Sequence, residues 1–361
     1  MKRLAEIDLE DAVARVRFHP TKRWLLALTS GGLGVSVWEW DEAYRFRRLT
    51  SFHPAGEAED PDEWGPPQAD AIFHPTRNLI AAARRSGPIE LRRLPQSSLA
   101  STIADPRIAS VLAFSADGEL LLAGGWVRPR DRGKDPWEAR TYTAVFGAKG
   151  QLVGHFDHSD TTLTLHPNGC LLGYVRNDQG LATVRFAALD KDAVQTYRAG
   201  FNVNAQVDGL AFSPDGTAVA VIGEEEWLQF EVRDFPTLTR RFRKRYRIPD
   251  EEVLPEVFAT RQIVFRPDGQ AVVYLDRKGV LQELDAHTGE WLSRVEAHDG
   301  WAGTIDSRPD LGLFATGGSD GKVRLWAWEG VGPPAPVAPG VTEEFRQSYA
   351  PSFRFQPTEE A

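Results

Sequence analysis

The sequence predicts an all-β protein assembled from seven copies of one four-stranded antiparallel sheet. Three observations carry that prediction. A short element of the form Phe-Ser-Pro-Asp-Gly returns seven times along the 361 residues. Apolar runs of strand length flank its copies. Helical periodicity is almost absent, so the repeated unit is made of strands.

The copies are Phe18-His19-Pro20-Thr21, Phe73-His74-Pro75-Thr76, Phe114-Ser115-Ala116-Asp117-Gly118 and Leu165-His166-Pro167-Asn168-Gly169, then Phe212-Ser213-Pro214-Asp215-Gly216, Phe265-Arg266-Pro267-Asp268-Gly269 and Ser307-Arg308-Pro309-Asp310. Their third residues lie 55, 41, 51, 47, 53 and 42 positions apart. A period drifting in this range marks a repeat architecture whose insertions fall in loops. Within the element, proline presets φ at the first turn position and glycine accepts the positive φ.

Each unit reads as four strands in order. The first is partly alternating, as in residues 207–212. The second is a nearly continuous apolar run, as in 218–222, and reads as a buried strand. The third alternates and often ends on tryptophan, as in 35–38 and 322–326. The fourth is more polar, as in 290–295. Seven such units describe a seven-bladed β-propeller.

The last repeat adds a more specific signal. Residues 315–326 read Ala-Thr-Gly-Gly-Ser-Asp-Gly-Lys-Val-Arg-Leu-Trp, and His298 precedes them. This stretch resembles the WD-repeat (WD40) family, and the resemblance extends in degenerate form over residues 1–330. His298, Thr316, Asp320 and Trp326 fall at the spacing of that family's buried His–Ser/Thr–Asp–Trp network, which implies a structural role for all four. Repeat one keeps Trp38 and Trp40-Asp41 without the histidine, and repeats two to four have no tryptophan at that strand position. The resemblance also implies how the ring closes. The last repeat has only three strands before Gly332-Pro333-Pro334, whereas Lys2 to Leu9 has no unit of its own. The N-terminal segment is therefore expected as the outer strand of the last blade. Residues 331–361 form a Pro-rich C-terminal extension, expected to be extended. Its Phe345, Tyr349, Phe353 and Phe355 can lay it on the propeller or offer it to a partner.

Composition narrows the function classes. The chain is 42% hydrophobic and 26% charged, with a net charge of −9, which does not suggest a nucleic-acid or membrane binder as a whole. Cys170 stands alone, so there is no disulfide framework and no cysteine-built zinc site; it is expected as a small core residue. No segment resembles a signal peptide or a membrane span, and the chain reads as cytoplasmic. No Walker-type loop or GxSxG elbow occurs, and Gly31-Gly32-Leu33-Gly34 precedes a strand rather than a helix. His19, His74 and His166 share one turn slot that Ser or Arg fills in other repeats, which makes the slot structural. No cofactor or metal ligand set is implied.

The candidate binding residues lie in the insertions. The first-to-second turn is short throughout. Extra length sits before the next first strand (53–68; 249–259) or between second and third strands (124–139). Strand alternation puts these connections on one face, and in WD-repeat proteins that face most often binds partners. Residues 57–64 are acidic and end on Trp64; residues 126–137 carry Trp126, Arg128, Arg130, Arg132 and Trp137. Glu225, Trp227 and Trp301 belong to the same face. Trp and Arg are enriched in binding hot spots, whereas charge runs are commonly solvated loops that pair with each other.

A second feature is Thr239-Arg240-Arg241-Phe242-Arg243-Lys244-Arg245-Tyr246-Arg247. Alternation places Arg241, Arg243, Arg245 and Arg247 on one side, about 7 Å apart. On an outermost strand this row is expected to project from the rim, where it protects the edge or pairs internally, or else meets an acidic partner or nucleic acid.

The reading is a monomeric, non-catalytic interaction scaffold or adaptor that binds one or more proteins, within a multi-subunit complex, through its loop-rich face. The alternative is a propeller enzyme, lactonase-like or quinone- or metal-dependent, with Glu224, Asp276 and Asp320 at the channel mouth. A third is a nucleic-acid-binding subunit using the arginine row.

Overall fold

A computed structural model describes residues 1–361 except 31–33, 57–68, 85–86, 105–107, 128–139, 158, 179–180, 191–192, 204, 225–226, 248–261, 277, 339–350 and 356–361. The chain opens with β1 (Lys2–Asp8) and then repeats one unit seven times. Blade one is β2 (Val13–Phe18), β3 (Trp24–Thr29), β4 (Val35–Trp40) and β5 (Phe46–Phe52). Blade two is β6 (Ala69–Phe73), β7 (Leu79–Arg84), β8 (Ile89–Arg93) and β9 (Ser98–Ile103). Blade three is β10 (Ile108–Phe114), β11 (Leu120–Val127), β12 (Arg140–Gly147) and β13 (Leu152–Asp157). Blade four is β14 (Ser159–Leu165), β15 (Leu171–Asp178), β16 (Leu181–Asp190) and β17 (Ala193–Val203). Blade five is β18 (Gln206–Phe212), β19 (Ala218–Glu224), β20 (Trp227–Asp234) and β21 (Arg240–Arg247). Blade six is β22 (Ile263–Phe265), β23 (Ala271–Leu275), β24 (Val280–Asp285) and β25 (Trp291–Glu296). Blade seven holds β26 (Ala302–Arg308), β27 (Leu313–Gly318) and β28 (Lys322–Ala327).

Every blade is an antiparallel meander in chain order, and each Pro-Asp-Gly copy is the turn from its first to its second strand. The first strands β2, β6, β10, β14, β18, β22 and β26 contact one another in a closed circle and line a central channel. Blade seven is completed by β1, which pairs antiparallel with β28 from Lys2 opposite Ala327 to Asp8 opposite Lys322. The ring therefore closes through the N-terminal strand. Ile7 is buried in the core shared by blades seven and one, and Glu6 holds Lys322 at 3.1 Å and Arg324 at 2.8 Å.

Seven hydrophobic cores fill the seven spaces between adjacent blades. That arrangement explains the continuous apolar second strands. In β3, Leu25 and Ala27 enter the core toward blade seven while Leu26 and Leu28 enter the core toward blade two. In β19, Val219 and Val221 face blade four while Ala218, Ala220 and Ile222 face blade six. A strand buried on both faces has no polar side, so alternation disappears.

Two expectations meet the structure differently. Cys170 is exposed, not a core residue. It is the last residue of the turn between β14 and β15, where its N–H donates to Asn168 Oδ1 at 3.1 Å, ahead of the first buried position at Leu171. The described parts of the C-terminal extension, for their part, lie on the propeller. Pro334 stands at the channel mouth, the Ala338 N–H donates to the Asp215 carbonyl at 2.7 Å, and β29 (Pro351–Phe355) joins blade four as a fifth strand.

Candidate functional site

The two faces of the ring differ in construction. On one, the first-to-second turns are locked within and between blades. His19 Nδ1 accepts the N–H groups of Thr21 and Lys22, both at 3.1 Å, and His74 Nδ1 accepts those of Thr76 and Arg77. His166 accepts the Asn168 N–H on Nδ1, so its proton sits on Nε2, which donates to the Gly216 carbonyl of blade five at 3.0 Å. Gly216 has φ +75°, and a Cβ there would stand 2.3 Å from His166 Nε2, so glycine is required twice over. Where the slot is serine, Ser115 and Ser213 donate to Asp117 and Asp215 at 2.6 Å and accept the N–H of the second strand's first residue, Leu120 and Ala218. Arg308 grips Asp310 at 2.7 Å and donates to the carbonyls of His19 and Lys22 in blade one. Burial and nearby cations push His19 down to about 4; burial also lowers His74 and His166.

The channel encloses about 770 Å³, and Pro20, Pro75, Pro167, Pro214, Pro309 and Pro334 are among its lining. Its polar wall joins blades. Asp306 Oδ2 accepts the Phe18 N–H at 2.6 Å, Thr304 Oγ1 the Val16 N–H at 2.9 Å, and Asp70 Oδ2 the Leu112 N–H at 2.9 Å. Gln262 Oε1 accepts from Ile305 N–H and from the Thr304 hydroxyl. Burial raises Asp306 despite the charge of Arg17 and the Phe18 N–H, and burial brings Arg15 down to about 10 against the pull of Asp70. Periodicity gives no sign of these inter-blade bonds. Their trace in the sequence is an acid set inside an apolar first strand, as in Ala69-Asp70-Ala71-Ile72-Phe73.

On the opposite face, the last blade carries a continuous hydrogen-bond relay. Trp326 Nε1–H donates to Thr316 Oγ1 at 2.9 Å, so the Thr316 hydroxyl proton points to His298 Nε2 at 2.8 Å. His298 Nδ1–H in turn donates to Asp320 Oδ1 at 2.9 Å. Arg324, two residues before Trp326, joins the relay at Asp320 Oδ2 at 2.7 Å and links it to Glu6 of β1. Burial raises the Asp320 carboxyl, but the Arg324 and His298 hydrogen bonds outweigh it and hold the group at about 2. Burial, with the charge of Arg324 beside it, keeps His298 below its ordinary value against the pull of Asp320.

The same face holds the candidate binding residues that the structure describes. Trp227 opens β20 and is 43% exposed; Trp301 is half-buried just before β26, its carbonyl accepting the Ser319 N–H at 2.8 Å. Trp126 lies in β11 opposite Ile108 and Thr141. Trp64, Arg128, Arg130, Arg132, Trp137 and Glu225 lie outside the described residues. Asp276 and Asp320 are each engaged in their own blade, Asp276 by the Lys278 and Val280 N–H groups and by Gln282 Nε2. Among the described residues, no three His, Cys, Asp or Glu side chains sit together in a way that could hold a metal ion.

The arginine row corrects one expectation. Although β21 is the outer strand of blade five, Arg241 and Arg243 are mostly buried and do not project from the rim. Arg241 Nε donates to Asp234 Oδ1 and Arg243 Nε to Glu231 Oε2, both at 2.6 Å, and Arg245 Nε to Gln229 Oε1 at 3.1 Å. Arg247 pairs by backbone with Trp227. The fully buried Glu231 carboxylate also takes Arg233 and Arg240, so it gathers guanidiniums from two strands. A buried carboxylate demands such partners, which draws the arginines onto their own sheet. The opposite side of β21 packs toward blade six, where Tyr246 O–H donates to the Gly289 carbonyl.

A family model described as WD domain, G-beta repeat, matches residues 289–327, the stretch that contains the whole relay. The chain is a seven-bladed β-propeller with one WD repeat in its last blade. The propeller is similar to eukaryotic translation initiation factor 3 subunit I of Phaeosphaeria nodorum, 35% identical over 68 residues, 19% of this chain and 20% of that protein. It is also similar to the protein of the same name in Pyricularia oryzae, 32% identical over 68 residues, again 20% of that protein. WD repeat-containing protein 3 of Homo sapiens is 37% identical over 65 residues, 18% of this chain and 7% of that protein. The similarity thus spans a fifth or less of these relatives. No helix among the described residues is long and apolar enough to cross a membrane.

Proposed function

We propose that this WD-repeat propeller is a protein-interaction scaffold whose partners dock on the face opposite the Pro-Asp-Gly turns. One observation carries the reading: every long connection, 53–68, 128–139 and 248–262, leaves from that face, because each follows a second or fourth strand of an antiparallel blade. The other face has only short turns, bolted blade to blade, and the C-terminal extension crosses it. Loops projecting from a rigid ring are where binding residues are best placed. Relatives named as a subunit of a translation initiation factor fit a component of a larger assembly.

The contact residues on this reading are Trp126, Trp227 and Trp301 on the frame and Trp64, Arg128, Arg130, Arg132, Trp137 and Glu225 in the loops. Affinity purification from the native host with cross-linking mass spectrometry tests it. Cross-links are expected to concentrate in 53–68, 128–139 and 248–262, and alanine at Trp126, Arg128 and Arg130 together is expected to release at least one partner. Retention of every partner by that variant, with cross-links on the opposite face, would overturn the reading.

A further inference from the structure

Blade four is built unlike the others. It is a five-stranded sheet in the order β14-β15-β16-β17-β29, whereas the other six have four strands among the described residues. The fifth strand comes from the far end of the chain. β29 runs antiparallel to β17, with Phe355 opposite Val194, Arg354 opposite Gln195, Phe353 opposite Thr196 and Pro351 opposite Tyr197. The strand it joins spans 11 residues. The two halves of β17 serve different neighbours: residues 194–197 receive β29, and the Asn202 carbonyl accepts Arg243 of blade five.

The ring does not need this addition. The seven first strands already close the circle, and β1 already completes blade seven. What the added strand does is occupy an edge. An outer strand presents a row of unpaired N–H and C=O groups, ready to template another extended chain. Main-chain bonds supply the affinity of such an addition, and alternate side chains its selectivity. The occupying sequence, Ser352-Phe353-Arg354-Phe355, alternates aromatic residues with a hydroxyl and a cation, and phenylalanine favours strands. The segment is also tethered close by. Val331 packs on the core between blades six and seven, Pro334 lies at the channel mouth and Ala338 is bonded to Asp215 in the neighbouring blade five.

We propose that residues 194–197 of β17 are a strand-addition site for an extended partner segment with aromatic residues at alternate positions, and that the chain's own Pro351–Phe355 covers this site until such a segment displaces it. A tethered strand acts at an effective concentration on the order of 1 mM. An intrinsic dissociation constant of about 100 µM would therefore keep the edge about tenfold more covered than open, and a competing segment would see its affinity reduced about tenfold. This site is separate from the loop-rich face, so its failure and the failure of the scaffold reading are read by different experiments.

The probe is a fluorescein-labelled peptide of residues 349–357, titrated by anisotropy into two full-length proteins, wild type and F353P/R354P. Consecutive prolines remove the N–H at both parities of the added strand, so whichever one faces β17 is lost. The peptide is expected to bind the variant and to bind wild type at least tenfold more weakly. Absence of binding to the variant, or equal affinity for both, overturns the proposal. A second measurement reads occupancy directly. Opposed residues of an antiparallel pair have Cα atoms about 4.5–5.5 Å apart, within disulfide range. T196C/F353C in a C170S background is thus expected to form an intramolecular disulfide on mild oxidation. A disulfide-linked dimer, or no cross-link, overturns the claim that the chain covers its own edge.

Discussion

Replacing Thr316 by valine separates two explanations of how the last blade is held. The side chain is fully buried, and its hydroxyl bridges Trp326 Nε1 at 2.9 Å and His298 Nε2 at 2.8 Å. Valine keeps the volume and removes the bridge, leaving a buried indole N–H and a buried imidazole nitrogen without partners. Each such orphan costs about 1–3 kcal/mol, so T316V is expected to lose about 2–6 kcal/mol. Serine keeps both hydrogen bonds and removes one methyl group, a loss of about 1 kcal/mol. The order is therefore T316V well below T316S. A packing account predicts the reverse, because valine retains every carbon. Urea denaturation followed by tryptophan fluorescence measures the difference. Amide exchange across β27 and β28 accompanies it, since repeat arrays can unfold in parts. Adding W326F to T316V is expected to cost less than W326F alone, because the indole N–H is by then already unpaired. A T316S protein as unstable as T316V would refute the relay as the source of stability.

Acid is expected to destabilise the ring. His19, at about 4, and His74, His166 and His298, also below 6.5, stay neutral in the folded chain while the unfolded chain protonates. Their contribution is present above pH 6.5 and is lost as pH falls below it, for His19 on the way to about 4; Asp320, at about 2, adds a loss below 3.8, and Asp306, raised by burial, acts in the opposite sense. Tm is expected to fall between pH 6.5 and 4, and H19N, which keeps an acceptor for the Thr21 and Lys22 N–H groups, is expected to flatten part of that fall; a pH-independent Tm would contradict it. Deleting residues 1–8 removes Ile7 from its core, about 2–3 kcal/mol of burial alone, and bares the edge of β28, so calorimetry is expected to show a markedly lower transition. E231Q leaves Arg233, Arg240 and Arg243 without their shared carboxylate and is expected to cost about 3 kcal/mol, with E231Q/R243A less than additive; a neutral E231Q would mean the arginines are held otherwise.

The architecture was legible because each blade repeats the same local problem. A turn needing Pro, Asp and Gly sits between a strand lining the channel and a strand buried on both faces, and both requirements leave marks within about fifteen residues of sequence. The near-consensus run at 315–326 and the unmatched N-terminal strand belong to the same class of signal.

What local pattern could not carry was the partner of each polar side chain. The alternation in 239–247 allowed internal pairing of its arginines but gave no sign that Glu231 on the adjacent strand would gather Arg240 and Arg243 while Arg241 turns to Asp234. Cys170 counted as apolar by composition, but its place was decided by a turn that ends one residue before burial begins. Asp70 and Asp306 bond across blades 42 and 288 residues apart in the chain, a distance at which periodicity is silent. The sequence alone determined the number of sheets and their strand order, because these follow from short-range patterns of burial and turning, and the resemblance of the last repeat pointed to the strand that closes the circle. Only the tertiary structure decided which charges neutralise one another and where the last residues come to rest, because those depend on which edges and carboxylates the closed ring brings within a few ångströms.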